Sequence, residues 1–494
     1  MPKATKPGKP HSKPIVNGGA VACWQDDPGD PKVQPSLSPI QVPIPNQAGT
    51  PYPFKIAGRA PVPQVYSPGT REFLYYAAAC ALRRTADLWG GIVPRGTRWQ
   101  VGSTLPVNVD SGVDLNAFYT RGEDGNTPGL HFFHDAVRGR VFFSGESPDI
   151  SSHEMGHAVL DSLKPQLFDA QSIEAAAFHE SFGDMSAMLS ALQVPSFRSE
   201  LLGEVVGGLN RNSRLSRLAE QLGAAIRLQH PDAVDSDCLR NAANSFFYRD
   251  PQTLPPFAPA SQLSSEPHSF SRVFTAGFLD ALAGIFKLND HTPDGLMQSS
   301  LDMAQLLVGG VLNSAVVPDY YSQVAANMLQ VGEAAPFSGK YRDALRAAFV
   351  RRGILSLQAS VTLAGLKRPA GKGVAMETAP ASSAELPTAI ISAGQFGLKS
   401  TALKVHIAAQ PKRYAITGAS LMLGPLEPRS AQNAAESYVE DLFQRGRVDV
   451  GSHAQPTFGT SRGLAFRTHV IQEDEGELLL KRVTFDCGFE HRED

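Results

Sequence analysis

The segment SSHEMGHAVLDSL, beginning at Ser151, sets His153 and His157 four residues apart with Glu154 between them. On an α-helix, side chains at i and i+4 share one face about one turn apart, so the pair acts together only if the segment is helical. Two imidazoles so placed suit two of the three protein ligands of a tetrahedral zinc ion, with the fourth position left open. Glu154 then sits beside that open position. There it can take a proton from a water whose pKa the metal lowers to about 7, and pass it to a leaving group. The pattern also arises by chance, so a third ligand must complete it.

A third ligand is available on the next helical stretch, SIEAAAFHESFGDMSAMLSAL, from Ser172 to Leu192. Glu180 lies 27 positions after His153, and Asp184 follows one turn later on the same face. On an isolated helix these carboxylates would be a solvated stripe. After HExxH they read as a ligand, Glu180, and an acceptor, Asp184, for the other ring N–H of His153, which fixes its tautomer. Gly183 is a poor helix former whose missing side chain lets the two helices approach closely.

With HExxH on one helix and E-x-x-x-D on the next, the chain resembles the thermolysin-like gluzincin zinc metallopeptidases. The resemblance extends to DLNAFYT (Asp114 to Thr120), similar to the family's Asn-Ala-Phe edge segment, where Asn116 and the backbone of Ala117 would hold an extended substrate as an added strand. Asp149 and Ile150 also match, Ile150 as part of a pocket for the residue after the scissile bond. In CLRNAANSF, Arg240 stands where the family keeps an arginine contacting a substrate carbonyl, with Leu239 on the pocket wall. The segment EPHSFSRVFTAGFLDAL resembles the one bearing a second catalytic histidine, here His268, 28 positions after Arg240. A donor held there would stabilise the oxyanion of a tetrahedral intermediate, with Glu266 orienting its ring. The resemblance covers about residues 70 to 360.

The resemblance implies a two-lobed α+β fold with a β-rich N-terminal lobe, motif helices at the cleft, and a helical C-terminal lobe. It implies one Zn2+ per chain and hydrolysis of internal peptide bonds of a peptide or protein substrate, with a large apolar residue favoured after the cleaved bond. The spacer between His157 and Glu180 is a few residues longer than in the best-known members. QVPSFRSELLGE, after the second helix, lacks the acidic cluster that forms the family's calcium site with the residue matching Asp149, which argues against calcium dependence. Two rival readings share these residues: a non-catalytic peptide-binding scaffold on a metallopeptidase fold, and a zinc hydrolase of a non-peptide amide. Loss of Glu154 or of a ligand would mark the scaffold, and neither is lost.

Fifteen of the 37 prolines fall in the first 70 residues, so residues 1–65 read as an extended arm. The peptidase-like part then divides at about residue 165 into an N-terminal lobe, 66–165, and a helical lobe, 166–366. Residues 367–388 read as a linker by their Pro, Gly, Ala and Ser content. Residues 389–494 form a small α+β appendage with strand-like ALKVHIAA, a helix near Ala434 to Phe443, and alternating runs LAFRTHVIQ and ELLLKRVTF joined by EDEGE. A protein partner is the target expected of this appendage. The formal charge of −3 gives no field to attract nucleic acid, and no apolar run reaches the roughly 18 residues of a membrane span. Cys23, Cys80, Cys238 and Cys487 lie far apart with no CxxC pair, which argues against a disulfide framework, a thiolate zinc site or a thioredoxin-type centre. Lys3 to Lys13 precede no apolar run, so a cytoplasmic address is expected, the alternative being export by a leaderless route.

Overall fold

The computed structural model describes residues 20–29, 33–39, 52–122, 125–357, 385–410, 429–455 and 466–487, a mixed α+β protein. Its strands are β1 (Ala20–Cys23), β2 (Ser36–Pro39), β3 (Phe54–Ile56), β4 (Leu105–Asn108), β5 (Ala117–Thr120), β6 (Gly129–Phe132), β7 (His134–Val137), β8 (Arg140–Phe143), β9 (Arg217–Leu218), β10 (Arg240–Asn241), β11 (Thr388–Ser392), β12 (Ala402–His406), β13 (Val448–Asp449), β14 (His469–Asp474), β15 (Glu477–Arg482) and β16 (Thr484–Asp486). Its helices are α1 (Arg71–Gly90), α2 (Pro148–Leu163), α3 (Gln166–Asp169), α4 (Ile173–Ala191), α5 (Pro195–Glu204), α6 (Glu220–Arg227), α7 (Pro267–Phe286), α8 (Pro293–Asn313), α9 (Tyr320–Glu333), α10 (Arg342–Arg351) and α11 (Ala431–Gln444).

The two motif helices begin and cross for local reasons. Ser147 caps α2 by accepting from the Ile150 N–H, and Pro148 occupies the first turn, where its missing N–H costs nothing. Every residue of α2 and of α4 is buried. Helices buried along their whole length are covered from every side, and close approach between them requires small residues at the crossing. A Cβ on Gly183 would lie 2.6 Å from the His153 ring, and one on Gly156 would lie 2.6 Å from Ser186 Oγ. These two glycines therefore set the distance at which His153 meets α4. Helix α7 packs against α4, and among the described helices it alone is long and apolar enough to cross a membrane; here it is 78% buried within the protein.

One five-stranded sheet has the order β16-β5-β6-β4-β3, with β5 antiparallel to both β6 and β16 and with β6, β4 and β3 mutually parallel. A second has the order β11-β12-β15-β14-β13, flanked by α11, whose Tyr438, Val439 and Leu442 are buried. Within it, β14 and β15 form a hairpin closed by Glu475 and Gly476, at φ 51° and 86°. Two successive positive φ values are those of a type I′ turn, which matches strand twist. The alternating runs around EDEGE thus become the expected strands.

Two expected boundaries are corrected. Residues 1–65 are not simply an extended arm, because Val21, Cys23, Tyr52, Phe54 and Ile56 are buried in the main core and β3 closes one sheet edge. Short strands interrupted by proline carry no periodicity of their own and take their structure from the core they cover. Nor is the unit after residue 389 a separate appendage. Its last strand, β16, belongs to the N-terminal sheet, the Gln171 N–H donates to His406 O, and Arg429 pairs with buried Glu174 and Asp319. Most of the expected linker, 367–384, and the basic N-terminal stretch lie outside the described residues.

Candidate metal centre and its groove

Helices α2 and α4 bring ligand atoms of His153, His157 and Glu180 within 4.8 Å of one another, and all three side chains are buried. Glu180 Oε2 lies 3.3 Å from His153 Nε2, and Glu180 Oε1 lies 3.7 Å from His157 Nε2. His153 Nε2, His157 Nε2 and Glu180 Oε2 nevertheless make no hydrogen bond. A buried polar atom without a partner costs about 1–3 kcal/mol, so three converging on one point call for a shared partner. Two imidazole nitrogens and one carboxylate oxygen are a donor set that fits zinc.

The outer contacts orient this set. His153 Nδ1 lies 3.0 Å from Asp184 Oδ1, and Asp184 also accepts from Arg240 Nη2 at 2.8 Å and Nε at 3.2 Å. Burial pushes the Asp184 carboxyl up, but Arg240 and His153 outweigh it and hold the group well below the usual carboxylate range. Burial disfavours charge on His153, while Asp184 and Glu180 lift its pKa to about 9. Burial drives the His157 pKa well below the ordinary value, and the neighbouring His153, His179, His268 and Arg240 push it the same way. Beside them, Glu154 is fully buried, and burial raises its pKa to about 8, against the pull of His153.

His268 enters from the first turn of α7, whose N-cap Glu266 accepts from the Ser269 N–H. Its Nδ1 is 2.6 Å from Glu266 Oε1 and its Nε2 is 2.6 Å from the carbonyl oxygen of Asp486. Both partners are acceptors, so the ring donates twice and is an imidazolium. Burial works against that charge; Glu180 and Glu266 overcome it and raise the pKa to about 10.

The other expected residues are distributed less simply. Leu239 and Arg240 line a cleft of about 610 Å³ together with Phe257, His268, Arg272 and Cys487. Ile150 instead lines a small recess with Leu115, Phe133 and Phe142, so it is not brought to the cleft wall of Leu239. Arg240 is committed to Asp184 rather than standing free for a substrate carbonyl. Asn116 is buried and turns its Oδ1 back to the Ala117 N–H. Most consequential, the edge of β5 expected to take a substrate strand is filled by β16: Thr484, Phe485 and Asp486 register with Thr120, Tyr119 and Phe118, and the Cys487 N–H donates to Ala117 O at 2.8 Å.

Sequence reasoning missed this last group. Phe485 stacks on His157 at 5.0 Å and on His179 at 4.0 Å. Arg447 pairs with Asp486 at 3.1 Å, and Arg482 lies 4.2 Å over the Phe485 ring. Cys487 brings its Sγ within 4.8 Å of a His153 nitrogen and a Glu154 oxygen. The sequence signal was a single cysteine closing the run ELLLKRVTFDC, and no spacing rule connects it to a motif more than 300 residues away. Comparison with models of known protein families and with curated protein sequences returned no match.

Proposed function

We propose that this chain is a zinc-dependent metalloendopeptidase of the thermolysin-like kind. The observation that carries the reading is the convergence of unpaired ligand atoms from His153, His157 and Glu180 in a buried site with Glu154 alongside. These three residues would hold the ion. Zinc, when bound, supplies a Lewis acid that acidifies water and polarises a carbonyl.

The chain's own groups divide the remaining work. Glu154, buried beside the ligand set, receives a proton and returns it to the leaving amine. His268, charged and aimed by Glu266, donates to an oxygen that gains negative charge. Asp184, braced by Arg240, keeps the His153 ring oriented. With β16 displaced, the edge of β5 would offer the Ala117 carbonyl, now bonded to the Cys487 N–H, to an extended chain, and the cleft at Leu239 would receive an apolar side chain.

The test is metal content and cleavage of an unfolded protein, read on the full chain and on a Phe485→Glu/Cys487→Ser variant that opens the groove. About one zinc per chain is expected, lost in His157→Ala, with cleavage abolished by a chelator and by Glu154→Gln while the latter keeps its metal. No cleavage by either metal-loaded form would overturn the reading.

A further inference from the structure

The final described residues occupy the groove that the proposed function needs empty. Residues Thr484–Cys487 run antiparallel to β5 and close its free edge with main-chain bonds, as an extended peptide would. Two hydroxyls clamp the strand: Thr484 Oγ1 donates to Tyr119 O at 2.9 Å, and Thr120 Oγ1 donates to Val483 O at 2.7 Å. The residue proposed to stabilise an oxyanion, His268, already donates to a peptide carbonyl, that of Asp486.

At the end of this strand Cys487 reaches His153 and Glu154. Its Sγ, a His153 nitrogen and a Glu154 oxygen lie within 4.8 Å of one another, and the thiol is 2% exposed. His153 Nε2 is buried and makes no hydrogen bond. Cys487 also lines the 610 Å³ cleft.

A strand present only to protect a sheet edge needs main-chain pairing and apolar side chains. This one also places a carbonyl on His268, a ring over His157, and a soft ligand beside the base.

We infer that Thr484–Cys487 is a built-in substrate mimic that keeps the enzyme latent, with the Cys487 thiolate as the fourth ligand of the metal held by His153, His157 and Glu180. The inference rests on the metallopeptidase reading. On binding, the sulfur–hydrogen bond breaks, the proton leaves through Glu154 to solvent, and sulfur takes the position that water needs, since a coordinated thiol is deprotonated outright. Glu154 is then screened from substrate as well. Activation is displacement of the strand, which returns a proton to Cys487 and admits water.

The experiment loads the full-length protein with Co2+, whose thiolate complexes absorb strongly in the near ultraviolet. The full chain and its Glu154→Gln variant should show a sulfur-to-cobalt band that Cys487→Ser lacks at equal cobalt content. Zinc should protect Cys487 from iodoacetamide. In parallel, Cys487→Ser and Phe485→Glu should cleave a peptide about tenfold or more faster than the full chain, because the open form becomes the main one. One bound cobalt without the band overturns the latch and leaves the peptidase reading standing. A band lost in Cys487→Ser, with no cleavage by any variant, keeps the thiolate ligand and removes the peptidase. Failure to bind cobalt at all removes both.

Discussion

The five-stranded sheet of order β16-β5-β6-β4-β3 is closed at its two edges by strands far apart in the chain, and the two strands differ in what they present. β3 turns Phe54 and Ile56 into the core, leaves Lys55 exposed between them, and lies beside Trp99, whose Nε1 donates to Pro53 O. It is a covering strand of the kind that blunts an edge. β16 covers the other edge, yet its Phe485, the Asp486 carbonyl and the following Cys487 each address a residue of the candidate metal centre. Edge protection alone explains the first strand. The second carries chemistry that protection does not require.

The largest effect should separate the edges by stability. Phe54→Ala removes a large ring that is 2% exposed, a change that costs about 3–5 kcal/mol in a core that cannot collapse around the loss. Denaturant unfolding should show that loss, while cleavage per folded molecule and the cobalt–thiolate band stay as in the parent. A Phe54→Ala protein that is activated would mean that the two edges communicate, and the contrast would fail.

Arg447→Met tests the other edge. Removing one partner of a buried ion pair costs about 3–5 kcal/mol where the remaining charge stays trapped. Asp486 need not stay trapped, because β16 can lift from β5 and carry its carboxylate into water. The cost should therefore fall short of that range and appear chiefly as faster alkylation of Cys487, with only a small loss of global stability. If alkylation is no faster and the protein simply melts earlier, β16 is as structural as β3.

Legibility followed contact distance along the chain. His153, Glu154 and His157 were readable because a helix fixes i and i+4, and Glu180 with Asp184 because one more helix repeats the argument. His268, Glu266 and Arg240 came from resemblance, since no local rule links α2 to α7. β16 pairs with a strand some 365 residues earlier, and its three residues have no period to read. The same holds for β1 and β3 within proline-rich text. His179, adjacent to Glu180 and stacked on Phe485, was invisible because every position of α4 is buried.

Within the ligand frame, Asp184→Asn should lower zinc affinity about 10–100-fold, as loss of an orienting carboxylate does. The amide oxygen can still accept from His153, but Arg240 is left buried opposite a neutral group. Competition against a chromophoric chelator reads this directly. The Cys487→Ser background sharpens it, since a protein that has lost its thiolate ligand depends more heavily on the orientation of His153. Equal losses in both backgrounds would argue that sulfur does not share the ion.

The smallest effect belongs to the N-terminal side, where β1 leads into Asp26 and Asp27. Asp27 accepts from the N–H groups of Gly29 and Gln221 and from Ser147, whose hydroxyl caps α2, so this stretch is tied to the motif helix. Burial raises Asp26 from its ordinary value of 3.8 to about 7, despite Arg214. Between those values the folded protein holds a proton that the unfolded chain has released, so its stability falls as pH rises from about 4 to about 7 and levels off above. Asp26→Asn cannot release that proton, and its melting temperature should fall by about 1–3 °C less across the window than that of the parent. The thiolate band, measured at either end of that window, should not distinguish the two proteins, because Asp26 serves the covering end of the chain. Parallel melting curves against pH would show that Asp26 ionises freely in the fold, and would leave the docking of β1 to its apolar residues alone.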